Sequence, residues 1–394
     1  MFENLEALPP DAILKLIAEY RDDPRGQKID LGVGVYRDQH GATPILDVVK
    51  QAEQLIIGEQ QSKAYLGSGG DPDCNAAIQQ LIFGQERAAS ERIATLHTPG
   101  GSGALRVAAG LILRANKDSD LWLCEPTWAN HIPLLGGAGI NLNSYPYYDQ
   151  ESQRVQFTQM LDVLNAIPAG DIVLLHGCCH NPTGMDLSHD QWQEVAGVIA
   201  VRQLVPFIDI AYQGFAEGIE EDAWPIRLMF DSVPEMIIAS SCSKNFGLYR
   251  DRIGSLSLVG RDAAESAVLK SQAHNIVRSM YSVPPDHGSA IVSRILNDAT
   301  LNSQWLVELN SMRERLKSMR SLLVSALHEH APEHDFSHIE RANGLFSFVG
   351  VSDAQVERLK SEFGIYMVAS SRINVAGITA SNVDYLAESV AAVL

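Results

Sequence analysis

Lys244 sits in the run Ser240-Ser241-Cys242-Ser243-Lys244-Asn245-Phe246-Gly247, with Arg252 a short step further along the chain. A primary amine bracketed by hydroxyls and followed by an arginine suits an aldehyde that also carries a phosphate. The amine can condense with the aldehyde as a Schiff base, while Ser241, Ser243 and Arg252 satisfy the phosphate dianion. Pyridoxal phosphate is a cofactor of that description. The apolar run Met236-Ile237-Ile238-Ala239 leads straight into the motif. Lys244 is therefore expected just past the carboxyl end of a buried strand, where ligands gather in open α/β sheets. A solvated lysine in a polar turn is the competing account.

Further segments point the same way. Thr98-Pro99-Gly100-Gly101-Ser102-Gly103-Ala104 opens into an apolar helical pattern. Backbone N–H groups at such a helix start form an anion cup, to which Ser102 can add a hydroxyl. The run is not a dinucleotide fingerprint, because Arg106 stands at the third glycine position, and it lacks the phosphate-loop lysine. Asp209 lies within the apolar run Val205-Pro206-Phe207-Ile208-Asp209-Ile210, where a carboxylate is costly unless a cation meets it. A protonated pyridine nitrogen would be that cation, with Tyr212 near enough in sequence to reach the ring oxygen. In His176-Gly177-Cys178-Cys179-His180-Asn181-Pro182-Thr183-Gly184 the Asn-Pro step marks a sharp turn after a strand, aiming the Asn181 amide at a ligand. Adjacent cysteines lack the usual zinc-ligand spacing, so no metal is expected, and Cys178 and Cys179 read as buried structural thiols. Arg372 precedes a short apolar run, and Arg278 precedes Met280-Tyr281-Ser282-Val283-Pro284-Pro285. Either guanidinium could clasp a carboxylate, or be an ordinary surface group.

These residues need a scaffold. The expected strands are 121–124, 172–176, 205–210, 236–240 and 255–259, alternating with helical stretches such as Ser188-His189-Asp190-Gln191-Trp192, which carries its own cap. That alternation reads as an α/β fold with a largely parallel sheet covered on both faces. Pro9-Pro10 separates an N-terminal arm from the helical pattern that begins at Ala12, and glycines at 32 and 34 suggest an extended segment with close backbone approach. A long amphipathic stretch over 301–327 is expected to pack with Leu306, Leu309, Leu316, Met319 and Leu323 on one face. The chain has 394 residues, 46% of them hydrophobic, enough for two domains with a sizeable core. Its net charge of −18 argues against nucleic acid or an anionic membrane as partner. Five cysteines over this length make no disulfide framework, and the opening Met1-Phe2-Glu3-Asn4 shows no signal peptide. With no long apolar span, a cytoplasmic location is expected.

With these segments assembled, the chain resembles the class I aminotransferases, specifically the aspartate and aromatic amino-acid group, along essentially its whole length. The segments 176–184 and 240–252 carry the resemblance most specifically. It implies fold-type I architecture, with a seven-stranded, largely parallel sheet in a large domain over 45–311. A smaller α+β domain would combine 13–44 with 312–394, leaving 1–12 as an arm. It also implies a homodimer with shared active sites and reversible, ping-pong transamination between L-amino acids and 2-oxo acids such as 2-oxoglutarate and oxaloacetate. In that light Lys244 resembles the Schiff-base lysine and proton carrier. Asp209, supported by His131, resembles the partner of the pyridine nitrogen, and Trp128 the indole stacked on the ring. Asn181 and Tyr212 resemble the pair at its phenolic oxygen. Gly101, Ser102, Ser241, Ser243 and Arg252 resemble the phosphate cup, with Tyr65 reaching the neighbouring subunit's phosphate. Arg372, with the Gly34 backbone, resembles the α-carboxylate anchor, and Arg278 the residue that meets a side-chain carboxylate across the interface. Departures fall at the substrate pocket, where Val283 and Ala64 replace asparagines and Ser102 replaces threonine. They favour aromatic or broad substrate use over a strictly aspartate-specific enzyme. A lyase, or a protein that binds the cofactor without turnover, are the remaining alternatives.

Overall fold

The computed structural model describes residues 1–8 and 11–394; the break expected at Pro9-Pro10 lies outside the described residues. The chain divides into two compact units, one formed by Met1–Thr43 with Leu316–Leu394 and the other by Pro44–Arg315.

The larger unit is built on one seven-stranded sheet: β1 (Ile93–Pro99), β2 (Leu121–Glu125), β3 (Leu142–Pro146), β4 (Ile172–His176), β5 (Val205–Ile210), β6 (Met236–Ser241) and β7 (Ile253–Val259). Their spatial order is β1-β7-β6-β5-β4-β2-β3. All pairings are parallel except those of β7, which runs antiparallel to both β6 and β1. Strands β4, β5 and β6 read as near-continuous apolar runs because both of their faces are covered. On one face Leu96, Leu123, Leu174, Phe207, Ala239 and Leu256 pack against helices α1 (Gly100–Ala115) and α2 (Ala263–Met280). Burial of such a face is the dominant source of stability, at about 25 cal/mol per Å² of apolar surface removed from water. The opposite face carries buried hydroxyls that bond across strands, Thr95 to Ser257 at 2.9 Å and Ser240 to Ser255 at 2.8 Å.

Two strands escaped the sequence reading. β1 is rich in polar residues, since Thr95, His97 and Thr98 are all buried there, and β3 is a short edge strand with little apolar signal. The capped helix appears as His189–Arg202, where Ser188 Oγ accepts from the Gln191 N–H and Gln191 Oε1 accepts from the Ser188 N–H. The long helix extends over Ala299–His330, but its buried stripe is not the expected one. Leu309, Leu316 and Leu323 are buried, whereas Leu306 is 40% exposed and Met319 is only half-buried. The stripe instead runs Leu301, Trp305, Leu309, Met312, Leu316, Arg320, Leu323 and Leu327, the 3.6-residue progression. A charged residue inside it hid the period.

In the smaller unit Arg320 is 2% exposed and donates to the carbonyls of Ile339, Asn343, Gly344 and Phe346 and to Ser347 Oγ. That arginine fastens the segment leading into the strand Phe346–Phe348, which pairs antiparallel with Arg372–Asn374. Ile29–Asp30 pairs parallel with Ile365–Tyr366, and the chain then passes Gly32 and Gly34. A Cβ on Gly32 would collide with Leu16, and one on Gly34 would lie 3.0 Å from the Phe346 ring. The close approach expected there is present.

Candidate active site

At one edge of the large sheet the parallel strands end and the reversed β7 begins. Asp209, His176 and Ser241 are at or beside the exits of β5, β4 and β6; Gly100 follows β1; Arg252 immediately precedes β7. The edge therefore gathers an amine, a carboxylate, hydroxyls and a guanidinium from distant parts of the sequence.

Lys244 follows β6 in a half-buried position, its Nζ 4.9 Å from the centre of the Tyr212 ring. Burial pushes its pKa down to about 8, the Asp209 charge opposes that fall, and the like charge of Arg252 adds to it. Tyr212 is buried and its hydroxyl lies 3.5 Å from Asn181 Nδ2.

Asp209 Oδ2 accepts from His131 Nε2 at 3.0 Å. Burial works to raise the Asp209 pKa, but the His131 hydrogen bond and nearby positive charge outweigh it, and the carboxyl is held below its ordinary value. Behind this pair lies a chain of hydrogen bonds. Thr127 Oγ1 lies 2.8 Å from His131 Nδ1 and 3.2 Å from His176 Nε2, and the Asn181 N–H meets His176 Nδ1 at 3.4 Å. The ends fix its direction, because a backbone N–H can only donate and a carboxylate can only accept. Hence His176 Nε2–H donates to Thr127, Thr127 donates to His131, and His131 donates to Asp209. Burial holds His176 well below its ordinary pKa, so it stays neutral, as that sequence of donors requires. Trp128 meets the His131 ring edge-on at 5.2 Å.

An anion cup adjoins the lysine. Ser241 Oγ donates to Ser243 Oγ at 3.0 Å, and Arg252 Nη1 approaches Ser243 Oγ at 3.5 Å. Gly100 begins α1 with φ +71°, and a Cβ there would lie 2.5 Å from Arg252 Nη2. Gly254 is as restricted, since its Cβ would meet the Gly100 carbonyl carbon at 2.5 Å and the Gly101 nitrogen at 2.8 Å. Glycine thus lets backbone, guanidinium and helix start converge. Arg252 itself adopts φ +58°, a strained conformation for a side-chain-bearing residue and the kind that clusters at ligand sites. Helix N–H groups, two hydroxyls and one fixed cation match a phosphate dianion, and Ser102 lies in the first turn of the same helix. With an amine of lowered pKa beside an ionised buried carboxylate, the donor set fits pyridoxal phosphate.

Two groups bring cysteines near other ligand atoms, Cys124 with His176 and His180, and Cys178 with Cys179 and Asp222. Sulfur and carboxylate atoms of Cys178, Cys179 and Asp222 lie within 4.8 Å of one another. The Asp222 carboxylate, however, accepts four backbone N–H bonds, from Gly214, Ala216, Glu217 and Gly218, and the Cys178 thiol is raised far above its ordinary pKa by its bond to Cys179 and by burial.

Other expected residues are placed differently. Tyr65 is 89% exposed, and Arg278 is an exposed residue of the last turn of α2, donating to Ser282 Oγ. In the smaller unit the Arg372 guanidinium carbon sits 4.3 Å from the centre of the Phe346 ring, and Nη2 donates to the Gly32 carbonyl at 3.1 Å. Thr127 and His176 were not singled out from the sequence. Their signal was available, since each is a polar residue at the carboxyl end of an expected strand.

Fold and site together define a fold-type I α/β enzyme. The chain belongs to the aminotransferase class I and II family, whose model matches residues 26–390. It is 45% identical to an aspartate aminotransferase of Haemophilus influenzae over 396 residues, covering 100% of both chains. It is equally 45% identical over 397 residues to an aromatic-amino-acid aminotransferase of Pseudomonas aeruginosa, covering 100% of this chain and 98% of that one. An aromatic-amino-acid aminotransferase from Burkholderia pseudomallei, covalently bound to pyridoxal phosphate, superposes with a TM-score of 0.98 at 41% identity, covering 100% of this chain and 99% of the other. The protein is an aminotransferase. Among the described residues no helix is long and apolar enough to cross a membrane.

Proposed function

We propose that this aminotransferase uses pyridoxal phosphate to exchange amino groups between L-amino acids, both dicarboxylic and aromatic, and 2-oxo acids such as 2-oxoglutarate and oxaloacetate, by a ping-pong mechanism. The observation that carries the reading is the convergence of Lys244, its pKa lowered to about 8, on Asp209 and the anion cup. When bound, the cofactor supplies an aldehyde for capture of the amino group and a ring that draws electrons from the adjacent carbon. The residues do the rest. Gly101, Ser102, Ser241, Ser243 and Arg252 hold the phosphate, with Tyr65 contributed to a neighbouring subunit. Asp209, braced by His131, keeps a proton on the ring nitrogen. Asn181 and Tyr212 bond the ring oxygen, and Trp128 covers the ring face. Lys244 Nζ removes the proton from the substrate Cα and redelivers it nearby, a task suited to an amine whose pKa is close to neutral. Arg372, with Gly34, takes the α-carboxylate.

Breadth of substrate follows from Arg278 and its surroundings. Its guanidinium offers a partner to the distal carboxylate of aspartate or glutamate. Val283 and Ala64 place few polar groups where an aromatic side chain must lie, and each polar group left unpaired would cost about 1–3 kcal/mol. The equal likeness to aspartate and aromatic-amino-acid aminotransferases supports the same reading. Exposed Phe2, Leu5, Leu8 and Tyr65 support a homodimer with shared sites, in which residues 1–12 act as an arm. We place the enzyme in the cytoplasm. The test is a panel of aspartate, tyrosine and phenylalanine with 2-oxoglutarate, in wild type and Arg278→Ala. Loss of kcat/KM should be far larger for aspartate than for phenylalanine. Turnover of aspartate alone would make the enzyme strictly aspartate-specific, and equal losses would show that Arg278 serves the fold or the cofactor.

A further inference from the structure

The edge of the large sheet opposite Lys244 carries a cavity that the transamination machinery does not use. It is a half-open pocket of about 140 Å³ where β4, β5 and β6 begin and α1 ends. Its floor is Leu111, Ile112, Ile172, Val205, Ile237 and Leu258. It opens to solvent past the exposed Asn116 and Gly170. Few polar groups reach it, and those that do are already paired. Asn116 Nδ2 donates to Ser119 Oγ at 2.7 Å, and Asn116 Oδ1 accepts from the Asp118 N–H at 3.1 Å. Ser119 Oγ in turn donates to the Gly170 carbonyl at 3.3 Å, and Glu235 pairs with Arg261 at 2.8 Å. A polar ligand would have to give up water here without finding new partners, which disfavours it. An apolar ring loses nothing and removes the floor from water. The size is also right: an apolar cavity of roughly 150 Å³ in a folded protein stays dry and holds benzene.

We infer that this cavity is a binding site for a small apolar aromatic ring, of benzene size, at the amino edge of the sheet. The strands that form its floor carry Asp209 and Ser241 at their far ends, and those strands are close-packed along their length. Occupancy therefore adds contacts to the folded state and leaves the chemistry at the other edge as it was.

The test uses the holoenzyme with benzene as the probe. Thermal unfolding of the wild type should shift upward with the logarithm of benzene concentration, reaching about 1–2 °C near ten times the Kd. Ala115→Phe, which reaches into the cavity from the exposed last turn of α1, should abolish the shift while wild-type turnover confirms a folded site. Leu269→Phe fills the same space from α2 and should do likewise, independently. The absence of an upward, concentration-dependent shift in the wild type overturns the assignment. So does an equal shift in both filled variants, or inhibition of turnover that tracks the shift, because benzene would then be bound elsewhere.

Discussion

Asp209→Asn probes the coupling between the carboxylate and the lysine. In the cofactor-free protein Lys244 titrates near 8 rather than its ordinary 10.5. That difference, 10.5 − 8, makes the neutral amine about 300-fold more abundant at pH 7 than in an ordinary lysine. Burial causes the fall, and the Asp209 charge partly offsets it. Removing that charge should therefore push the Lys244 pKa lower still. The assay is capture of a simple aldehyde by the cofactor-free protein, trapped by cyanoborohydride and read from the mass of the Lys244 peptide at a series of pH values. A probe without a ring nitrogen gives Asp209 nothing else to act on. The midpoint should be near 8 in the wild type and lower in the variant. An unchanged or higher midpoint would mean that Asp209 does not feel the lysine, and the electrostatic account of the site would fail. Turnover with natural substrates should collapse in the same variant, since Asn cannot hold the ring proton.

Borohydride reduction of the holoenzyme followed by peptide mapping should attach the cofactor to Lys244; attachment to another lysine would refute the assignment. Lys244→Ala should still bind pyridoxal phosphate through the cup while losing transamination. His97 is fully buried and its pKa is pushed down to about 4 from 6.5. Below pH 6.5 the unfolded chain gains a proton there before the folded one does, so stability should fall as pH drops from 6.5 toward 4, by about 1.4 kcal/mol per pH unit. His97→Gln should flatten the dependence of the urea midpoint on pH by that amount, and an unaltered slope would place the acid sensitivity elsewhere. Mixing Tyr65→Phe and Lys244→Ala proteins under subunit exchange should restore part of the lost activity if the sites are shared, and no recovery would count against the dimer.

The chemistry was legible because it lies in short local runs. Lys244 and Arg252 are only eight residues apart, Gly100 and Gly101 are adjacent, and Asp209 stands out as a charge inside an apolar strand. The parallel core was legible for a related reason: strands covered on both faces show unbroken apolar runs, as β4, β5 and β6 do. What escaped was polar and buried at once. β1 hides Thr95 and His97 in the interior, and Arg320 interrupts the buried face of the long helix, so an apolar pattern could not report either. The chain from Asn181 through His176 and Thr127 to His131 was invisible for another reason. It joins two local pairs, Thr127 with His131 and His176 with Asn181, across 49 residues of chain between Thr127 and His176, and only the sheet brings the pairs together.

The reversal of β7 has an evolutionary consequence. In a uniformly parallel sheet the guanidinium that begins one strand and the amine that follows another would lie at opposite edges, and a single connection could not supply both. Running β7 backwards puts them on one short loop, Cys242–Arg252, which becomes a unit of inheritance. An insertion or deletion within that loop would change the span between the nucleophile and the phosphate clamp while leaving both side chains intact. The apolar positions of the strands flanking it can drift in sequence so long as they stay apolar. Apart from Ser243, Lys244 and Arg252, the loop can change its residues far more readily than its length.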